Sequence, residues 1–351
     1  MGRAWAAIFA IGLFLAAAGA GGQEVPSQRI EGVTVAVRND ARPFIWKDED
    51  TNQYLGFFWD VCRMAIQRAK FQMGQQIVLD AEQRLDFLTK GVGAIDLLCD
   101  PTTLTLKRMK SFEEAPGLGA LSFSPIVFLA NGSFITQNFN KGDHGGWGPL
   151  PQTTGANVCD VLLDRAGRAI PSKNDEIASE KHWITVLNRP KTNFEIWGFF
   201  EGSTIGDQLR RELAVQSSEQ QKSRPTICLK GFTSHTDAAI WFCEGRLARY
   251  FGDTEIVQAS IEARTEIPGS DCISQPQYSA DGTYEPYAFV LSSARFPELP
   301  KRFSYALYEM FSDGTMERLY MGHFKRAKSA NLRTLFQINA IPRGAAPDPK
   351  K

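Results

Sequence analysis

The residues best suited to chemistry follow one another in residues 96–108, which read Asp-Leu-Leu-Cys-Asp-Pro-Thr-Thr-Leu-Thr-Leu-Lys-Arg. The apolar run 94–99 predicts a buried strand ended by Pro101, and any of the threonines that follow could cap a helix carrying Lys107 and Arg108. A strand that enters a helix N-terminus leaves backbone N–H groups unpaired beside those hydroxyl and guanidinium donors. Such a corner suits a small anion, because the fork of arginine donors matches a carboxylate in bidentate fashion.

Strand and helix patterns alternate on both sides of this corner. Before it, the predicted elements are a strand at 33–38, a helix at 57–70, a strand at 76–79 and a helix at 84–90. This β-α-β-α-β order implies parallel strands with right-handed crossovers, and ligands of such sheets bind at the carboxyl ends of the strands. After the corner, strands are predicted at 123–135, 194–200, 226–229, 247–251 and 287–291, and helices at 205–215, 237–244, 297–312, 315–324 and 332–338. Two α/β lobes are therefore expected.

The composition excludes several classes of protein. The chain has 351 residues, of which 43% are hydrophobic and 22% charged, which allows a sizeable core and two domains. Its 39 basic and 39 acidic residues cancel, so neither a nucleic-acid binder nor a polybasic membrane protein is indicated. The sequence shows no Ser-His-Asp order, no metal-ligand spacing and no phosphate-binding loop, and no cofactor is expected.

The first twenty residues have the pattern of a secretory leader. Arg3 supplies the positive start, residues 4–17 form a short apolar segment, and Ala18, Gly19 and Ala20 form a small-residue cleavage site. The alternative, a transmembrane anchor, is disfavoured because the apolar run is short for a bilayer. No cysteine follows the leader as a site for a lipid anchor, so export of the cleaved chain is expected.

Six cysteines in an exported chain indicate disulfides, although the sequence alone leaves fifteen connectivities open. A zinc site would need clustered spacing such as C-x-x-C, and none is present. Cys62 lies on the first predicted helix and Cys99 ends the strand expected beside it, so we predict a bridge between them. The remaining four allow three pairings, among which the sequence does not choose: Cys159, Cys228, Cys243 and Cys272.

Further motifs accompany the corner in a characteristic order. They are Val-Ala-Val-Arg-Asn-Asp-Ala-Arg-Pro-Phe at 35–44, Gly-Phe-Phe-Trp-Asp-Val-Cys at 56–62, Phe-Ser-Pro at 123–125, Glu-Gly-Ser-Thr at 201–204, Tyr-Phe-Gly-Asp at 250–253, Glu-Pro-Tyr at 285–287 and Asp-Gly-Thr-Met-Glu-Arg-Leu-Tyr at 313–320. Together they resemble the polar amino-acid-binding proteins of ABC transporters, which are bacterial extracellular solute-binding proteins of family 3. The resemblance covers most of the chain after the leader, except residues 140–193.

The resemblance implies a type II periplasmic binding protein fold. In this α/β fold two lobes, each a mainly parallel sheet flanked by helices, are joined by two hinge crossings. The implied boundaries are a signal peptide at 1–20, lobe 1 at 28–131 plus 287–340, lobe 2 at 132–286 with an unmatched insertion at 140–193, and a disordered tail at 341–351. A free amino acid would bind between the lobes.

The resemblance also assigns roles to residues of both lobes. Arg108 would clamp the α-carboxylate of the amino acid, with Thr103 and Thr102 supplying a hydroxyl or an amide. Ser203 and Thr204 would close onto the same carboxylate from the second lobe. Considered without the resemblance, Arg108 can equally be a solvated helix arginine, and the Ser-Thr pair an ordinary helix N-cap.

Two further charged residues concern the rest of the ligand. Asp253 would take the α-ammonium, a role for which neighbouring Glu255 is less suited; otherwise Asp253 is a surface turn residue. Arg38 stands where some relatives specific for glutamate or aspartate carry an arginine, so an acidic amino acid is the leading ligand. Alternatively, Arg38 pairs with Asp40 or Asp100 and the ligand is neutral or otherwise polar. Asp100 would repel a carboxylate unless it points away.

Three functions are compatible with the resemblance. The first is a monomeric periplasmic protein that captures an amino acid by lobe closure and delivers it to an ABC permease in the membrane. The second is an enzyme of the same fold, a prephenate-, arogenate- or cyclohexadienyl-type dehydratase, with Glu201 or Glu255 as general acid. The third is a sensor or scaffold whose partner reads the bound ligand. We expect the first, which needs no catalysis.

Overall fold

The computed structural model describes residues 32–91, 95–114, 119–137, 159, 163, 194–215, 226–244, 246–266, 272, 276–324 and 326–342. The predicted leader, nearly all of the insertion 140–193 and the predicted tail beyond residue 342 lie outside these residues. Along the described part of the chain, no helix has both the length and the apolar character needed to cross a membrane.

The first part of the chain forms the predicted succession of strands and helices. Its elements are β1 Val33–Val37, β2 Asp40–Ala41, β3 Ile45–Lys47, β4 Tyr54–Leu55, α1 Phe57–Arg68, β5 Met73–Val78, α2 Ala81–Lys90, β6 Leu97–Thr103, α3 Leu106–Glu114 and β7 Leu121–Phe123. Helix α2 begins in a capping box between Asp80 and Gln83 and ends at Gly91 in the left-handed conformation. Thr105 caps α3, because its Oγ1 accepts from the backbone N–H of Arg108 at 3.2 Å.

The corner strand β6 is longer than predicted. Pro101 does not end it, and β6 continues to Thr103 in antiparallel pairing with β12 (Pro276–Ser292). The register of that pairing shifts between Ala288 and Val290, which face the part of β6 that contains the proline. A proline has no N–H to donate, and an irregular register lets the ladder continue on both sides of it. The prediction that Pro101 stops the strand is wrong for this reason.

The second α/β pattern is also present. Its elements are β8 Phe128–Gln137, β9 Phe194–Phe200, α4 Thr204–Val215, β10 Thr226–Phe232, α5 His235–Cys243, β11 Arg249–Asp253, α6 Thr254–Thr265 and β12 Pro276–Ser292. Helix α6 has no counterpart among the predicted elements. Strand β11 passes into it directly at Asp253, so no loop residues mark the boundary in the sequence.

The described strands form one mixed sheet and one small separate sheet. The order of the large sheet is β10-β9-β11-β8-β12-β6-β1-β5, with β7 beside β12, and the small sheet is β2-β3-β4. Strands β10, β9 and β11 are mutually parallel, as are β6, β1 and β5. Antiparallel β8 and β12 join these two groups. The exact boundaries of the two lobes stay a prediction.

An aromatic core packs against the parallel strands β6 and β1. Helices α7 Leu299–Ser312, α8 Thr315–Phe324 and α9 Ala330–Asn339 complete the described chain there. Phe44 is fully buried, and its ring centroid lies 4.9 Å from that of Phe128 and 5.3 Å from that of Tyr287 in edge-to-face contacts. Gly56 starts α1 at φ 121°, and a Cβ there would strike the Phe44 carbonyl, so this turn requires glycine.

Three disulfides tie the described elements together. They join Cys62 on α1 to Cys99 on β6, Cys159 to Cys228 on β10, and Cys243 at the end of α5 to Cys272. The first is the predicted pair, and the other two are one of the three arrangements that the sequence left open. The first bridge fixes the corner strand against helix α1, which positions the residues that follow it.

Candidate ligand-binding site

A cavity lies where the carboxyl ends of strands from both parallel groups meet. Six of the seven residues predicted to bind the ligand line it: Arg38, Thr103, Arg108, Ser203, Thr204 and Asp253. The seventh, Thr102, lies behind the wall with its side chain fully buried. Successive side chains of a strand point to opposite faces, so Thr103 faces the cavity while Thr102 faces the interior.

Thr102 belongs to a buried ionic network with Arg84 and Asp100. Its hydroxyl accepts from Arg84 Nη2 at 2.9 Å and donates to the Asp100 carboxylate. Arg84 Nε also donates to that carboxylate. Burial alone would raise the pKa of Asp100, but the positive charges of Arg84 and Arg38 hold it below its ordinary value. Asp100 is therefore an ion held by Arg84, and the repulsion that it would exert on a ligand carboxylate is offset.

Arg108 reaches into the cavity without an acidic partner. Its Nη1 donates to the Thr103 carbonyl at 2.7 Å, and its Nη2 donates to the Gly202 carbonyl at 3.5 Å. Among the described residues, no carboxylate oxygen lies within 4.0 Å of its guanidinium. Burial and the neighbouring charge of Arg84 lower the pKa of Arg108 to about 10, which still leaves it charged at neutral pH.

Arg38, in contrast, already has a carboxylate partner within the protein. Its Nη2 donates to Asp40 Oδ1 at 3.1 Å, and its guanidinium lies 4.2 Å from the centre of the Phe200 ring. The other oxygen of Asp40 accepts from the backbone N–H of His235, the first residue of α5, at 2.7 Å. Of the two arrangements considered for Arg38, the structure shows the pair with Asp40.

His235 forms a neutral part of the cavity wall. Its ring stacks on Phe200 with centroids 4.5 Å apart, and its Nδ1 lies 2.5 Å from the Tyr250 hydroxyl. Burial lowers the pKa of His235 to about 3, even though the carboxylate of Asp40 acts in the opposite direction. The ring is thus uncharged near neutral pH and adds an aromatic surface to the wall without adding charge.

Ser203 and Thr204 bring the start of α4 to the cavity. Ser203 Oγ accepts from the backbone N–H of Gly206 at 3.0 Å, so this serine is an N-cap. Thr204 Oγ1 donates to Glu285 Oε2 at 2.8 Å and links the helix to β12. Both hydroxyls have hydrogen-bond partners within the protein. The first backbone N–H groups of α4 have no carbonyl partner within the helix and point away from its N-terminal end.

Asp253, the last residue of β11, brings to the cavity a carboxyl group that is not fully hydrogen-bonded within the described residues. It is the N-cap residue of α6, but its side chain makes no capping bond. Its buried Oδ1 has no hydrogen-bond partner among the described residues. Burial and the negative charge of Glu285 raise the pKa of Asp253 well above its ordinary value, although the nearby Tyr287 hydroxyl acts in the opposite direction. A cation bound beside it would favour the ionised form.

The carboxylates considered as general acids lie elsewhere. Glu201 pairs with Arg210 at 2.5 Å and Glu255 with Arg326 at 2.9 Å, and neither lines the cavity. In the described ranges, no cluster of His, Cys, Asp and Glu could hold a metal ion. The cavity instead brings together the guanidinium of Arg108, which forms no ion pair among the described residues, and the carboxyl group of Asp253, whose Oδ1 accepts no hydrogen bond there.

Several lining residues are absent from the sequence-based set. Those with a charged or aromatic side chain are Arg84, Phe200, His235 and Tyr287. Arg84 has a signal in the sequence, because an aspartate inside an apolar strand needs a cationic partner and Arg84 begins the preceding predicted helix. For Phe200 and His235 no such signal exists, since their positions in the wall depend on the packing of α5 against β9.

Comparisons with known proteins agree with the resemblance. The sequence model of the bacterial extracellular solute-binding proteins, family 3, matches residues 33–326. No curated protein matches the chain. An ancestral arginine-binding protein bound to glutamine is similar, with a TM-score of 0.54, 18% identity, and coverage of 84% of this chain and 98% of that one.

Two other solved structures are similar over the same extent. The arginine-, lysine- and histidine-binding protein ArtJ of Geobacillus stearothermophilus has a TM-score of 0.54 and 15% identity, covering 87% of this chain and 99% of that one. An ancestral amino-acid-binding protein described as a precursor of cyclohexadienyl dehydratase has a TM-score of 0.52 and 19% identity, covering 83% and 95%. At these identities the likeness concerns the fold, and the predicted type II periplasmic binding fold is confirmed.

Proposed function

Since the chain belongs to the bacterial extracellular solute-binding proteins of family 3, we propose that it captures a free amino acid in the cavity and delivers it to an ABC permease. One observation carries this proposal. The cavity contains a guanidinium without an acidic partner, Arg108, and a carboxyl group with an unpartnered buried oxygen, Asp253. A free amino acid carries the complementary pair of charged groups, an ammonium and a carboxylate, on one carbon atom.

In the proposed complex, each charged group of the ligand has its own partners. The α-carboxylate takes the fork of Arg108 donors together with the outward N–H groups at the start of α4, beside Ser203 and Thr204. Thr103 contributes from the end of β6. The α-ammonium lies against Asp253, whose carboxyl group then loses its proton because the ammonium offsets burial and the repulsion by Glu285.

Capture requires the two sides of the cavity to separate and close again. The cavity encloses about 40 Å³, which is room for one or two water molecules. Contacts that cross it include two hydrogen bonds, in which Arg108 donates to Gly202 and Asp40 accepts from His235. We place the hinge in β8 and β12, which join a first lobe at 28–131 plus 287–340 to a second lobe at 132–286. With the predicted signal peptide, this monomer would work in the periplasm.

The charge around Arg38 favours a neutral polar ligand within the amino-acid class. Arg38 is the residue that suggested glutamate or aspartate, but its charge is offset by Asp40 at 3.1 Å. An acidic side chain would have to compete with that carboxylate for the same donors. Among the similar structures, one ancestral arginine-binding protein holds glutamine, which is a neutral polar amino acid.

Freeing Arg38 should therefore change selectivity. In Asp40→Asn the guanidinium loses its carboxylate, and we expect the ratio of glutamate to glutamine affinity to rise about tenfold, the size of one charge-assisted hydrogen bond. Titration calorimetry with both amino acids measures this ratio. Asp40 also contacts His235 across the cavity, but an effect on closure acts on both ligands and cancels in the ratio. If Arg38→Ala instead abolishes a strong glutamate preference of the wild type, the acidic ligand is the right one.

The class of ligand is tested by a thermal-shift screen of the full-length chain against the common amino acids, with prephenate as a further candidate. A ligand in hundredfold excess over its Kd stabilises the native state by about 2.7 kcal/mol, so binders raise the unfolding midpoint. We expect a shift with at least one amino acid and no consumption of prephenate. Turnover of prephenate would indicate the dehydratase, and no shift with any amino acid would contradict the proposal and favour a sensor or scaffold.

A further inference from the structure

A second cavity lies beside helix α4, on the face of the sheet formed by β8, β11 and β9. Its volume is about 250 Å³, larger than the roughly 150 Å³ cavity that accommodates benzene in an engineered protein. None of the predicted amino-acid-binding residues lines this lateral cavity. Three rings form its wall: the Phe251 centroid lies 5.0 Å from that of Phe134 and 5.1 Å from that of Trp197. The space and the walls fit an aromatic group of one or two rings.

The charge in this wall belongs to Arg249. Its guanidinium lies 5.0 Å from the Phe134 ring centre and 4.7 Å from that of Trp197. Its acidic neighbour is Glu195, whose Oε2 is 4.0 Å from Arg249 Nε and already accepts from Trp197 Nε1 at 2.7 Å. The side chain of Arg249 is one-third exposed. The guanidinium fork is thus stacked in place with donors left for another acceptor.

The other polar residues of the lateral cavity satisfy each other. Gln208 Nε2 donates to Glu212 Oε1 at 2.8 Å, one helical turn apart on α4. Glu212 remains an acidic side chain in the wall, but among the described residues no ion pair joins it to Arg249, so the donors that remain come from Arg249 and suit an acceptor group such as a carboxylate beside that arginine. A stacked, planar guanidinium binds a carboxylate in bidentate geometry.

We propose that the lateral cavity binds a small aromatic carboxylate. The ring of the ligand packs against Phe134, Trp197 and Phe251, and its carboxylate takes the two parallel donors of Arg249. This site is separate from the amino-acid cavity, and the proposal does not depend on the function proposed for that cavity. Ile205 lines both cavities, so the two sites share one side chain of α4.

The test compares indole-3-acetate with its uncharged counterpart indole-3-acetamide. Ligand-observed NMR and titration calorimetry on the full-length chain should show that the acetate binds and that the acetamide binds roughly tenfold or more weakly. In Arg249→Gln the acetate should weaken by the same factor, roughly tenfold to hundredfold, while the acetamide is unaffected. Arg249→Lys keeps the charge without the fork and should lie between the two.

A matched control is available on helix α7. Arg302 also stacks on a ring, 4.7 Å from the centre of Phe71, but it does not line the lateral cavity. Arg302→Gln should bind indole-3-acetate as the wild type does. The proposal is overturned if the acetate does not bind at millimolar concentration, if the acetamide binds equally well, or if Arg249→Gln retains full affinity. Unfolding midpoints of all variants establish that each is folded.

Discussion

Replacing Arg108 with alanine should reduce amino-acid affinity by roughly a hundredfold or more while leaving the fold intact. Truncating one partner of a desolvated, hydrogen-bonded charge pair costs about 2–5 kcal/mol, and each 1.4 kcal/mol is about tenfold in Kd. Within the protein, the Arg108 guanidinium donates to two carbonyls, of Thr103 and Gly202, so its loss breaks no ion pair. The buried carboxylates near it keep other partners, because Asp100 is held by Arg84 and Glu285 accepts from the Thr204 hydroxyl. Titration calorimetry with the amino acid identified by the screen gives the change in Kd.

Two comparisons make this result specific. Arg108→Lys retains the positive charge but not the planar fork, and we expect it to lose about tenfold, less than the alanine variant. The unfolding midpoint of both variants should stay close to that of the wild type. Wild-type affinity in Arg108→Ala would remove the assignment of Arg108 as the carboxylate clamp and with it the observation on which the proposed function rests.

Replacing Asp253 with asparagine should weaken amino-acid binding and at the same time make the unliganded protein more stable at neutral pH. We expect the variant to lose amino-acid affinity by roughly a hundredfold, because the ammonium loses its counter-charge. At neutral pH the unliganded protein should nevertheless become about 1–3 kcal/mol more stable. The carboxyl group has an unpartnered buried oxygen and is repelled by Glu285, whereas an amide of the same shape is neutral and can donate a hydrogen bond.

The pH dependence distinguishes this explanation from a general effect of the substitution. The pKa of Asp253 is higher in the folded protein than in the unfolded chain, where it is about 4. The protonated carboxyl group therefore makes its full contribution to the free energy of unfolding below about pH 4. That contribution is lost as the pH rises through the folded-state pKa. Denaturant unfolding should show the gain from Asp253→Asn near neutral pH and little gain near pH 4.

Asp207 offers a matched surface control for the same measurement. Its carboxylate lies 3.7 Å from Lys107 Nζ and is about half exposed. Asp207→Asn should change stability by less than about 0.5 kcal/mol at either pH. A destabilised Asp253→Asn variant at neutral pH would show that Asp253 is ionised and paired in the unliganded protein, contrary to its surroundings in this structure.

Parts of the fold that depend on local pattern were predictable from the sequence. The bounds predicted for β9 and α8, residues 194–200 and 315–324, are those of the structure. A segment rich in aromatic residues defines β9, and Gly314 at φ 76° marks the start of α8. The length of β6 was not predictable in this way, because its passage through Pro101 depends on an irregular pairing with β12, a strand far away in the chain.

The sequence predicted which residues line the site better than it predicted the partners of their charged side chains. Six of the predicted binding residues do line one cavity, since they follow strand ends that meet at one edge of the sheet. Some of their partners are close in the chain and others are distant: Asp40 is two residues from Arg38, whereas Thr204 donates to Glu285, 81 residues away. The sequence offers Asp40 as a partner of Arg38, but tertiary packing decides that this pair forms and that Arg108 forms no ion pair among the described residues.

The three disulfides bear on the energetics of the site, although none of them lines it. Their cysteines are 37, 69 and 29 residues apart, and the three loops do not overlap along the chain. In the chain-entropy description, closing each such loop restricts the unfolded ensemble by about 4 kcal/mol, and separate loops contribute independently. A buried carboxyl group left without a partner costs about 1–3 kcal/mol. The stabilisation by the three disulfides therefore exceeds the penalty at Asp253. Bridges that do not line the cavity allow the fold to tolerate a buried carboxyl group with an unpartnered oxygen, the group to which the ammonium is proposed to bind.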